Sequence, residues 1–154
     1  MEKELEQFLK SGAAQKFMSL TENTPNTFGK MNVLQMLEHV AEWASISSGK
    51  LKFELQTPIE HLPNWKAFLL SEKEFMPNTK NSLMDDEPLQ SSFESVEEGV
   101  LKIQKSLDAY FERFKNKELE TEMHPFFGAL NFEEWALLHG KHLRHHLRQF
   151  GVNF

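Results

Sequence analysis

The chain has 154 residues, a net charge of −6 and no cysteine. That length suits one domain spanning residues 1–154 with a substantial core, while an acidic balance without a basic block argues against nucleic acid as a partner. Without cysteine, disulfides, thiolate zinc sites and a cysteine nucleophile are excluded within the chain.

Residues 2–20 read as a first helix, with Leu5, Phe8, Leu9, Phe17 and Met18 as apolar contacts and Gly12 as its weak point. The opening MEKELEQFLKSG lacks the basic and apolar regions of a signal peptide. No apolar run approaches the ~20 residues of a membrane span, so a cytoplasmic protein without a membrane partner is expected. Asn23, Pro25 and Asn26 mark a loop over residues 21–29. A second helix begins at Asn32, with Gln35 completing a capping box, and stops near Gly49. Its apolar face is Val33, Met36, Leu37, Val40, Ala41 and Ala44. Pro63 starts a short helix that ends before Pro77, and the MPNTKNSLMDDEP segment after it is a loop.

Ser91 and Glu94 form another capping box for a third long helix. Phe93, Val96, Val100, Ile103, Leu107, Tyr110 and Phe114 recur there at spacings of three and four, the stripe of a core-facing helix. Asn131 and Glu134 cap a fourth helix over residues 132–150. Four long amphipathic helices make an all-α four-helix bundle, with a long, partly helical connection between helices two and three.

The fourth helix carries four of the seven histidines: His139, His142, His145 and His146. At about 100° per residue His142 and His146 lie nearly one above the other, with His139 and His145 roughly 60° to either side of His142. Trp135 and Gln149 share that face, whereas Arg144 and Arg148 lie opposite. Neutral imidazole is the commonest protein ligand for transition metals, and a pair at i and i+4 can grip one ion from one helix. There is no HExxH, so zinc-protease chemistry is not indicated. Two histidines are half a site. On spacing alone His39, on the flank of helix two beside Trp43, reads more readily as a surface or hydrogen-bonding residue than as a ligand. A second apolar strip on the fourth helix, Ala136, Leu143, Leu147 and Phe150, fits either core or a dimer seam.

The segments TFGKMNVLQMLEHV and HPFFGALNFEEWALLHGKHLRHHLRQFG together resemble the DinB/YfiT-like superfamily. They are most similar to a branch with a WGKM-like stretch, an HPFFG loop and an HxxHHxxQFG run, Phe28 standing where that branch usually has Trp. The resemblance implies a four-helix bundle, often dimeric, that holds a divalent metal, commonly nickel or zinc. It implies His39, His142 and His146 as the ligands. His139 is then a fourth ligand or an acid/base, His145 hydrogen-bonds around the site or between helices, and Gln149 either orients a ligand or is exposed to solvent. His124 anchors the loop entering helix four or overhangs the site, Trp135 borders it, and His61 is at the surface. Characterised members include thiol-dependent S-transferases and isomerases and metal-dependent hydrolases. The resemblance therefore implies a small-molecule substrate, with a low-molecular-weight thiol as one cosubstrate. The opposing reading is a non-catalytic binding or stress-associated module with a structural histidine cluster.

Overall fold

In the computed structural model, which describes residues 2–77, 83 and 87–154, the chain is mostly helical. The first helix forms, but not with uniform winding. An α-helical segment α1 (Lys3–Gln7) passes into a π turn over Phe8–Gly12 and a 3-10 turn over Ala14–Ser19. With that change of winding Leu9, Ala13, Ala14 and Phe17 are all fully buried.

Helix α2 (Val33–Ser45) begins as its capping box directs. Asn32 Oδ1 accepts from the Gln35 N–H at 2.8 Å, and the Asn32 N–H donates to Gln35 Oε1 at 2.9 Å. After a 3-10 turn over Ile46–Ser48, Gly49 turns the chain at φ +76°. Glycine is needed there twice over, since a Cβ would also lie 2.5 Å from Glu122 Oε1.

The short helix α3 (Leu62–Leu70) stops when Ser71 turns extended and its hydroxyl donates to the Phe68 carbonyl. Residues 71–77 continue as an irregular strap. The loop expected over residues 76–88 lies mostly outside the described residues.

Helix α4 (Val96–Phe114) starts later than expected. Its N-cap is Ser95, whose Oγ accepts from the Glu98 N–H at 3.1 Å. Ser91 does not cap it, because its hydroxyl lies 2.6 Å from Glu38 Oε2, and that carboxylate also accepts from the Ser92 N–H at 2.8 Å. A tertiary contact therefore took the first of two Ser-x-x-Glu signals and left the helix the second. Phe93 precedes the helix and packs against the core from outside it. The remaining stripe, from Val96 to Phe114, is buried and contributes roughly 1.5–3 kcal/mol of transfer free energy per large side chain. It packs on α2, and at Gly99 a Cβ would lie 2.7 Å from Leu37 Cβ, so only glycine fits without displacing that leucine.

The expectation of an all-α chain needs one correction. Strand β1 (Glu122–His124) pairs antiparallel with β2 (Gly128–Leu130), in register Glu122↔Leu130 and His124↔Gly128. Strands of three residues are too short to show a period. Helix α5 (Phe132–Gln149) then starts at the Asn131–Glu134 capping box. Ala136, Leu143, Leu147 and Phe150 are buried within the chain, so that strip is core.

Candidate metal centre

Helices α2 and α5 bring His39, His142 and His146 together. His142 Nε2 lies 3.1 Å from His39 Nε2 and 3.1 Å from His146 Nε2. One ligand atom from each lies within 4.8 Å of the others, and among the described residues these three form the group that can hold a metal ion. His146 is buried, whereas His39 and His142 are partly exposed.

The environment keeps the imidazoles neutral, the form that ligates a metal. Burial, reinforced by His145, pushes His39 down to about 4. Burial and the neighbouring histidines hold His142 and His146 well below the ordinary histidine range.

Gln149 decides which His146 nitrogen is free. Its Nε2 donates to the Phe28 carbonyl at 3.2 Å, so its Oε1 is the acceptor 2.7 Å from His146 Nδ1. The His146 proton therefore sits on Nδ1 and the Nε2 lone pair faces the cluster, the outer hydrogen bond usual for a metal-ligating histidine. Loop 21–31 holds that arrangement in place. The Thr27 N–H donates to the Gln149 carbonyl at 2.7 Å, and the Phe28 ring packs 5.2 Å from His145.

Hydrogen bonding alone serves this cluster badly. With His146 Nε2 unprotonated, a proton on His142 Nε2 must be shared between two 3.1 Å contacts. Without that proton, the His142 and His146 lone pairs oppose each other. A cation removes the conflict, because all three lone pairs can then converge on it. The two 3.1 Å spacings are also close to the edge, about 3.3 Å, of a tetrahedron of 2.0–2.1 Å metal–nitrogen bonds, and the third pair of nitrogens lies within 4.8 Å. The donor set fits a divalent ion.

The other expected residues fall around this group. Gln149 is buried and holds His146. His145 stands 4.9 Å from the His146 ring, between Phe28 and Phe75; burial lowers its pKa although a backbone hydrogen bond at Phe75 opposes the shift. His139 turns away from the trio: its Nε2 lies 2.9 Å from Ser47 Oγ, its ring stacks on Trp135 at 5.5 Å, and burial drives it to about 3. His124 anchors the turn of the hairpin, where its Nδ1 accepts from the Phe126 and Phe127 N–H groups at 3.0 and 3.2 Å. Trp135 is fully buried core whose indole N–H donates to the Glu122 carbonyl at 3.2 Å. His61 is exposed.

Sequence reasoning missed three participants. The Phe28 carbonyl is invisible to side-chain patterns, and Ser47 is an ordinary residue at a helix end. Phe75, whose ring lies 6.5 Å from His142, sits in a strap with no periodicity. That strap is tied to α5: Glu74 accepts from Arg144 Nε at 2.9 Å and Arg148 Nη2 at 3.3 Å, and Lys141 Nζ donates to the carbonyls of Ser71 and Lys73.

The fold and the site together define a mostly helical protein with a histidine cluster able to hold a metal ion. The chain matches the DinB superfamily over residues 18–150 and belongs to it. No curated protein and no solved structure gives a significant match. No helix among the described residues is long and apolar enough to cross a membrane.

Proposed function

We propose that this protein is a metal-dependent enzyme acting on a small molecule, with nickel or zinc held by His39, His142 and His146. In this reading residues 1–154 are one domain, a four-helix bundle built from the N-terminal helical arm, α2, α4 and α5. The observation that carries the metal assignment is the gathering of three neutral imidazoles, one ring nitrogen of each within 4.8 Å of the others, with Gln149 fixing the tautomer of His146. A divalent ion bound there supplies Lewis acidity and open positions for a substrate, a water or a thiolate.

The chain's own groups have separate tasks. Burial holds the three ligands neutral, and Gln149 keeps a proton at His146 Nδ1. Their partial exposure leaves His39 and His142 on the side from which a small molecule can approach. Within the superfamily the reading is a thiol-dependent transferase or a hydrolase, the thiol coming from a cosubstrate because the chain has no cysteine. A cytoplasmic location and a homodimer belong to the same proposal, the dimer on family resemblance alone. Against the structural-cluster alternative stands the proton conflict at His142 Nε2, which three hydrogen-bonding histidines do not resolve.

Elemental analysis of tag-free protein, with His39→Ala alongside, tests the proposal. Near-stoichiometric nickel or zinc, lost in the variant, is the expected result and would justify screening thiol-transfer and hydrolysis substrates. Protein that arrives metal-free and refuses both added ions would sink it.

A further inference from the structure

The surroundings of the histidine trio differ sharply from side to side. Around His146 the site is closed, because that ring is buried and its Nδ1 is capped by Gln149, itself held by the Phe28 carbonyl. Access remains at His39 and His142, the two partly exposed members. Each has a partly exposed aromatic ring beside it. Trp43 lies 6.1 Å from His39 and Phe75 lies 6.5 Å from His142.

These two rings are the ends of one aromatic wall. Trp43 stacks on Phe126 at 6.2 Å and 18°, and Phe126 stacks on Trp65 at 5.9 Å and 19°. Trp65 meets Phe127 edge-on at 5.1 Å, and Phe127 lies 6.4 Å from Phe75. The wall draws on α2, α3, the hairpin turn and the strap, so separate parts of the chain converge to build it. The charges nearest the Phe75 end are already engaged: Glu74 binds Arg144 and Arg148, and Lys141 is bound to the carbonyls of Ser71 and Lys73. At that end, then, the ring of Phe75 rather than a free charge stands beside the accessible His142.

We propose that Trp43 and Phe75 are specificity-determining residues, and that the small molecule handled here has a metal-binding oxygen or sulfur head on a flat aromatic body. This rests on the metal reading given above. Aromatic faces favour offset-stacked or edge-on partners over aliphatic ones of equal area. Stacking is worth roughly two- to tenfold in affinity beyond simple burial.

Two hydroxamates that share one chelating head and differ in the body provide the test. Acetohydroxamate and benzohydroxamate are titrated into tag-free, zinc-loaded protein by calorimetry, with Trp fluorescence as a second readout. The wild type is expected to prefer benzohydroxamate by about tenfold or more. Trp43→Leu and Phe75→Leu, which keep an apolar side chain and remove the flat ring, should each lower that preference by about twofold or more. Zinc content should stay at the wild-type value. Equal affinity for the two probes in the wild type overturns the inference, as does a preference left unchanged by both substitutions. Should Trp43→Leu lose its zinc or its fold, Phe75→Leu, in a strap outside the helices, decides alone. Failure of the metal reading looks different: the wild type then retains no zinc and binds neither probe, which removes both claims together.

Discussion

Gln149 Oε1 accepts a 2.7 Å hydrogen bond from His146 Nδ1 while the Gln149 amide nitrogen donates to the Phe28 carbonyl. The amide can point only one way, and so can the imidazole it holds. Gln149→Leu should therefore weaken zinc or nickel binding by about 10- to 100-fold without moving the ligands themselves. It should also cost about 1–3 kcal/mol, because His146 Nδ1 and the Phe28 carbonyl lose their partner. Competition titration against a chelator and urea unfolding of the metal-free variant measure the two effects separately. Wild-type metal affinity in this variant would deny Gln149 the positioning role.

His142 stands between the other two ligands, 3.1 Å from each. His142→Ala should abolish stoichiometric metal binding and leave the far-UV helical signal largely intact, because His142 lies outside the apolar core. Metal occupancy that survived this substitution would show that the ion, if present, sits elsewhere.

An unperturbed histidine site loses metal as pH falls through about 6. Here the proton is a poorer competitor, since burial pushes His39 to about 4 and, with the neighbouring histidines, holds His142 and His146 well below the ordinary histidine range. Affinity should thus hold between pH 7 and about 5 and fall only as pH approaches about 4. A chelator of known pH dependence makes this measurable. A steep loss centred near pH 6 would mean that the imidazoles are more hydrated than their burial indicates.

His124 and His139, both outside the trio, are buried and pushed down to about 3 from an ordinary 6.5. Between those values the unfolded chain binds protons that the folded chain refuses, so stability is lost as pH falls from about 6.5 towards 3. The slope is about 1.4 kcal/mol per pH unit for each histidine. His139→Gln, which keeps a hydrogen-bonding group for Ser47, should remove one histidine's share of that slope. Urea unfolding across a pH series in chelator provides the comparison.

What could be read in advance was what local rules decide. The capping boxes at Asn32 and Asn131, the stop at Gly49 and the buried face of α4 rest on residues a few positions apart, and all formed as expected. Ser91 failed as a cap because Glu38, 53 residues earlier, claimed its hydroxyl. No spacing rule contains that information. The metal-capable trio was half legible: the i, i+4 pair follows from helical geometry, but His39 joins it only through the way α2 meets α5. Gln149 was equally compatible with solvent until the Phe28 carbonyl was seen opposite it. The hairpin hid for another reason, since its turn is held by His124 Nδ1 and two backbone N–H groups rather than by an alternating pattern.

His39 and His142 meet across 103 residues of sequence. An ion gripped by both closes a loop of that length, and closing about 100 residues constrains an unfolded chain by roughly 4–5 kcal/mol when a disulfide does it. In a chain without cysteine, the trio would be a staple that a chelator opens and a metal salt closes again.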